Sequence, residues 1–366
     1  MLQKFFSLLR FAIDEGAPMP VGIKPEDWPS LFDMARQQTL VGVLYKGVSR
    51  MPAEMQPEKE LAIRWVVLAE RIATLNRIMN ERIAELFVRF DVDGFRCCIL
   101  KGQGNTLNYP DAFTRTPGDF DAWLDGGEDR VIRYVFGVNP DAVANYHHID
   151  YPPYMRMPVE VHYKPSFQFN FVHNARIQKW FKDNSVNQFA NKTMLPGDFG
   201  PVCVPTAGFN RVFQMSHIAN HVLHEGLGLR QIMDYYFLLK QGFTEEERQE
   251  YAVLMKSFGL YKMARSVMYV LREVFGAGDD VLIVEPDERC GRMLLDEIML
   301  SGNFGHFDER IDAKARKSRV RMNILRLKRD LRMLKYFPSE CLSEPLFRIY
   351  HFFWRQWKNR DGLKPQ

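Results

Sequence analysis

The chain has no Cys-x-x-Cys pair, no internal repeat, no low-complexity tract, and no uninterrupted run of about 18 apolar residues. Without paired cysteines a thiolate zinc site has no support. Without a long apolar run there is no sign of a membrane span. Cysteine is scarce: there are five, an odd number that includes the neighbours Cys97 and Cys98 in an apolar stretch. That usage argues for reduced, buried thiols and a cytoplasmic protein. Residues 1–14 carry Lys4, Arg10 and Asp14 at amphipathic spacing, which predicts a first helix rather than a signal peptide. Charge of one sign is also lacking, since the net is only +4 and gives nucleic acid no strong support.

What the chain does have is size and apolar content. With 366 residues, 46% of them hydrophobic, it exceeds the length at which one core usually stops growing, so two domains or one with helical extensions are expected. Periodicity changes along it. Residues 1–94 read as a helical region, with a long helix from Leu61 to Phe90 that ends near Asp91-Val-Asp-Gly94. Residues 95–205 shift to short strands broken by Pro and Gly turns, with a helix over Asp129 to Phe136, giving an α+β core. Helices return over 206–310, interrupted at Gly226-Leu-Gly228, at Gly242 and by a turn-rich stretch from Asp279 to Pro286. A basic, aromatic helical tail follows over 311–366.

Within the α+β segment lies the run Arg115-Thr-Pro-Gly-Asp-Phe-Asp-Ala-Trp-Leu124. Side chains in a strand repeat every two residues, so Asp119 and Asp121 share one face. Carboxylate oxygens on a rigid strand suit Mg²⁺ or Mn²⁺. A pair of turn aspartates following Pro117-Gly118 is the alternative. Upstream, the apolar run Phe95 to Leu100 leads into Lys101-Gly102-Gln103-Gly104-Asn105, a turn whose N–H groups could face phosphate where a helix begins. Downstream, Pro158-Val-Glu-Val-His-Tyr163 alternates, with Glu160 and His162 on one face, and offers a third carboxylate.

These runs, Ile99 to Gly102, Tyr109-Pro110, Arg115, Gly118 to Asp121 and Val159 to His162, together with His217-x-x-x-His221, Leu229-Arg230 and Asp234, resemble the uncharacterised nucleotidyltransferase family of the DNA polymerase beta-like superfamily. The resemblance spans roughly residues 1 to 300. It implies an α+β fold with a small mixed sheet between helical regions, and a metal-dependent transfer of a nucleoside monophosphate from an NTP, ATP in the first instance, to an acceptor hydroxyl. Asp119, Asp121 and Glu160 would then be the catalytic carboxylates and the ligands of Mg²⁺ or Mn²⁺. Lys101, Gly102, Gln103, Arg115, His162, His217, His221 and Arg230 would bind the nucleotide. Gly102-Gln103 stands where the superfamily usually has Gly-Ser or Gly-Gly, and the gap to Asp119 is longer than usual.

Other features carry open readings. His217, His221 and His224 fall on one helical face, where they could line a cleft, sit satisfied in the core or, without the glutamate of a zinc-protease motif, hold metal. Arg230 and Asp234, four apart, suggest an ion pair, with Arg230 binding substrate as the sharper alternative. His147 and His148 precede Asp150-Tyr-Pro-Pro-Tyr154, which reads as a loop that could close over a base or acceptor. The tail holds fifteen Lys and Arg against five Asp and Glu. From Lys314 to Lys335, Ile324, Leu327, Leu331 and Leu334 recur at helical spacing, and Phe352, Phe353, Trp354 and Trp357 lie beside Arg348, Arg355 and Lys358. A helix packed on the protein is one reading of that tail; RNA, an acidic partner or an anionic membrane is the other. A catalytically silent nucleotide-binding regulator is the alternative to an enzyme.

Overall fold

A computed structural model describes residues 1–224, 226–303 and 319–359. Four helices come first: α1 (Leu2–Ile13), α2 (Trp28–Gln37), α3 (Val41–Arg50) and α4 (Lys59–Val92). The mixed segment holds β1 (Cys97–Ile99), the one-turn α5 (Gln103–Thr106), β2 (Phe120–Leu124), α6 (Glu128–Val138), β3 (His148–Tyr154), β4 (Met157–His162), α7 (Phe171–Asp183), α8 (Ser185–Gln188), β5 (Lys192–Leu195) and β6 (Phe199–Cys203). Then come α9 (Ala207–His224), α10 (Leu229–Leu239), α11 (Glu245–Ser257), α12 (Tyr261–Val270), α13 (Glu288–Ser301), α14 (Arg319–Met333) and α15 (Pro338–Lys358). The fold is α+β, with one cluster of buried apolar side chains running from Phe5 to Trp354. All five cysteines are free and buried.

The sheet that positions the site has the order β1-β2-β4-β3. β1 runs antiparallel to β2, β2 parallel to β4, and β3 antiparallel to β4. Alternation divides its residues between two faces. Phe120, Tyr151 and their neighbours turn toward α4, where Phe87 and Phe90 meet them. Asp121, Trp123, Glu160, His162 and His148 take the other face, toward α9, whose Phe209 stacks on Trp123. β3 corrects the loop expected over residues 147–154. Pro152 and Pro153 argue against a central strand, but β3 lies at the sheet's edge, where a missing N–H costs no ladder bond, and its pairing shifts between Tyr151 and Tyr154 to accommodate them.

The helices on either side are tied to the strand-loop segment by buried polar groups. Asp234 on α10 accepts from Arg115 through both guanidinium arms, at 2.8 and 2.8 Å, from the Tyr109 hydroxyl at 2.6 Å and from the Asn105 amide at 3.2 Å. The expected Asp234 partner, Arg230, instead donates to the Thr116 carbonyl at 3.0 Å. Proximity along one helix loses here to a fork that meets the carboxylate squarely. On the other flank Asn76 of α4 donates to the carbonyls of Phe113 and Arg115, and Gln103 donates to Asn76 and Asn80. These bonds fix residues 103–116, and so the approach to Asp119. Replacing Asp234 by Ala leaves the Arg115 charge buried and unpaired, and is expected to cost about 3–5 kcal/mol of stability. Urea denaturation measures this; a loss under about 1 kcal/mol contradicts it.

Candidate metal and nucleotide site

Asp121 arrives on β2 and Glu160 on its parallel neighbour β4, directly paired in the register, while Asp119, expected on the same strand, ends the loop that leads into it. Oxygens of Asp119, Asp121 and Glu160 all lie within 4.8 Å of one another. Asp119 is the last residue before β2, and Asp121 lies inside the strand. A Mg²⁺ or Mn²⁺ ion bonding at about 2.1 Å spans ligand pairs of about 3 to 4.2 Å, so a modest inward shift closes the trio on one ion. The donor chemistry fits: all three are hard oxygens, and buried Asp121 Oδ2 has no hydrogen-bond partner. A second group, His148, Glu160 and His162, is gathered within the same distance and shares the glutamate.

Three carboxylates this close repel, and two cations offset them. Lys101 Nζ lies 3.1 Å from Asp121 Oδ1, and His162 Nε2 donates to the same oxygen at 3.0 Å, with Glu160 3.6 Å away. Burial alone would raise the Asp121 carboxyl, but Lys101 and His162 outweigh it and hold the group below the ordinary range. Burial likewise opposes ionisation of Glu160, yet the nearby His162 and Lys101 cations push it down to about 2. For His162 burial disfavours the charged ring, while the hydrogen bond to Asp121 and the neighbouring Glu160 carboxylate raise it to about 9.

Gly102 joins β1 to α5 at φ 61, a backbone conformation that side chains rarely adopt, and a Cβ there would lie 3.4 Å from the Asp119 carbonyl. The helix expected to favour phosphate at this turn is only four residues long, too short to contribute a substantial dipole. Gln103 faces α4 rather than the cleft, held by Asn76 and Asn80. Arg115 lines a recess of about 30 Å³ with Lys101, Gly102, Asp119, Asp121 and Arg230. Its guanidinium is committed to Asp234. Burial, then the neighbouring Arg115 charge, lowers Arg230 to about 10.

On the other side of the carboxylates opens a cavity of about 720 Å³. Lys101, Asp119 and Glu160 form its floor, and His217, His221 and His224 of α9 line it, as the cleft reading expects. His217 and His221 are 3.0 Å apart through their Nε2 atoms. Burial holds His217 well below the usual imidazole range. His147 and His148 also face the cavity; the Asn145 amide donates to His148 Nε2, and His148 Nδ1 donates to His147 Nε2. Phe347, Arg348 and His351 of α15 complete the wall. Nothing in their sequence links them to the carboxylates beyond the aromatic density of the tail.

In the metal-free chain His162 is expected to titrate near pH 9, and Asp121→Asn to move it toward the ordinary imidazole range, read by NMR of the ring protons. An unfolded imidazole titrates near 6.5 and an unfolded glutamate near 4.3. The stabilisation from His162 is therefore complete below about pH 6.5 and lost as pH rises through 9; that from Glu160 is complete above about pH 4.5 and lost as pH falls toward 2. A His162 midpoint near 6.5 contradicts the assignment.

A search of curated proteins found no match, and a search of solved structures found none either. A family described as uncharacterised nucleotidyltransferase matches residues 24–276, which takes in β1 to β6 and α2 through α12. That span carries the acidic trio, the glycine turn and the Asp234 hub, and it supports nucleotidyl transfer as the general activity. The chain belongs to this uncharacterised nucleotidyltransferase family.

Proposed function

We propose that the chain transfers a nucleoside monophosphate from an NTP, ATP in the first instance, to an acceptor hydroxyl, releasing pyrophosphate with Mg²⁺ or Mn²⁺. The observation that carries this reading is the convergence of Asp119, Asp121 and Glu160 within 4.8 Å beside Gly102. When bound, the metal neutralises charge on the phosphoryl oxygens and favours ionisation of the attacking group. The residues supply position and field. Asp119, Asp121 and Glu160 hold the ion; Lys101 and Arg230, in the recess beside Gly102, attract the triphosphate. The acceptor oxygen forms a bond to the α-phosphorus as the bond to pyrophosphate breaks. Glu160, on the cavity side, favours loss of the acceptor's proton.

The cavity is large enough for a nucleoside or a small acceptor. A second reading, a nucleotide-binding protein without turnover, is favoured by one contact: the Lys101 ammonium already partners Asp121.

Asp119→Asn and Asp121→Asn are each expected to reduce Mg²⁺-dependent pyrophosphate release by at least about 100-fold, with an unchanged circular dichroism spectrum. Unchanged turnover in either variant refutes the site. Thermal shift with each of the four NTPs and Mg²⁺ is expected to raise the melting temperature for at least one, since ligand bound to the folded state stabilises it. A shift without turnover supports the second reading, and no shift counts against both.

A further inference from the structure

The hairpin of α14 and α15 leaves an apolar face that the proposed reaction does not use. On α15, Leu342, Leu346, Ile349, Phe353 and Trp357 follow at intervals of four, three, four and four residues, one stripe of a helix, and are 59 to 67% exposed. Phe352 is exposed beside them. On α14 the residues expected to pack inward, Ile324, Leu327 and Leu331, are exposed as well; the part of that stretch from Lys314 to Ser318 lies outside the described residues. This is not a helix lacking a seat. The opposite side of α15 is anchored: Phe347 stacks on Phe167, Trp354 meets Tyr146, and Lys358 binds Glu128 and Asp129.

Charge decides which partner fits. Among the described residues from 319 to 359, the exposed charged side chains are Arg321, Lys328, Arg332, Lys335 and Arg355, all cationic, with Arg332 3.5 Å from Glu297 of α13. The three acids of that stretch, Asp330, Glu340 and Glu344, are buried. A face of Leu, Ile, Phe and Trp with a wholly cationic set of exposed charges matches the headgroup boundary of an anionic bilayer. It matches other occupants less well. A symmetric pairing of two copies brings like cations together, and RNA offers no apolar layer for the aliphatic stripe. None of the described helices is long and apolar enough to cross a membrane, so contact would be at the surface.

We propose that this face of α14 and α15 docks on an anionic lipid bilayer. The inference stands apart from the proposed reaction, but it has a consequence for it. α15 also carries Phe347, Arg348 and His351 into the large cavity, so docking holds that cavity near the lipid surface.

Flotation of the full chain with vesicles tests this. Vesicles containing about 30% phosphatidylglycerol are expected to carry the chain at low salt, release much of it at about 0.5 M NaCl, and exceed pure phosphatidylcholine vesicles at least tenfold. Ile349→Glu and Phe353→Glu, at exposed positions, are expected to remain folded by circular dichroism and lose binding at least tenfold. Trp357 emission, taken as the difference from Trp357→Phe, is expected to shift to shorter wavelength on vesicle addition. Equal binding by the Glu variants, no binding to either vesicle, a dimer by light scattering that the same variants dissociate, or capture of single-stranded RNA that survives those substitutions overturns the proposal.

Discussion

Repulsion among three carboxylates is the constraint around which the centre of the molecule is arranged. The parallel register of β2 and β4 sets Asp121 directly beside Glu160, and the loop leading into β2 brings Asp119 within 4.8 Å of both. Lys101 follows β1 and reaches Asp121 from one side; His162 lies two residues beyond Glu160 and reaches it from the same face of the sheet. Two cations against three acids leave a net negative charge, which is why a divalent ion fits here. Burial strengthens both the repulsion and its relief.

A site of this kind depends on how its parts are held. Asp119 precedes the strand rather than lying within it, so its place depends on the loop that precedes it. Arg115, Tyr109 and Asn105 fix that loop to Asp234 on α10, and Asn76 fixes its carbonyls to α4. The helical regions thus act as the clamp on the loop that leads to Asp119. The functional face of the sheet then meets α9, which brings His217 and His221 opposite the carboxylates.

Much of this was legible in sequence where local periodicity and spacing determine the outcome. The long helix ending just before Gly94, the strand that carries Asp121 and the Glu160 strand follow from repeats of 3.6 or two residues, whereas Asp119 falls in the loop before its strand rather than on it. What was not legible depends on long-range pairing. Arg230 and Asp234 fit an i,i+4 pair, but Arg115, more than a hundred residues away in sequence, takes the carboxylate. Gln103 follows the glycine of the turn yet points to α4, because two asparagines one turn apart on that helix both accept from its amide nitrogen. Prolines concealed β3, since edge position cannot be read from one chain segment. The tail's apolar spacing was visible, but which side would face solvent was not.

The central claim is that these three acids grip a common ion. Anomalous scattering from a crystal of the chain grown with Mn²⁺ addresses it directly. The account predicts a manganese peak bonded by oxygens of Asp119, Asp121 and Glu160; manganese bound elsewhere, or none at saturating concentration, would contradict it.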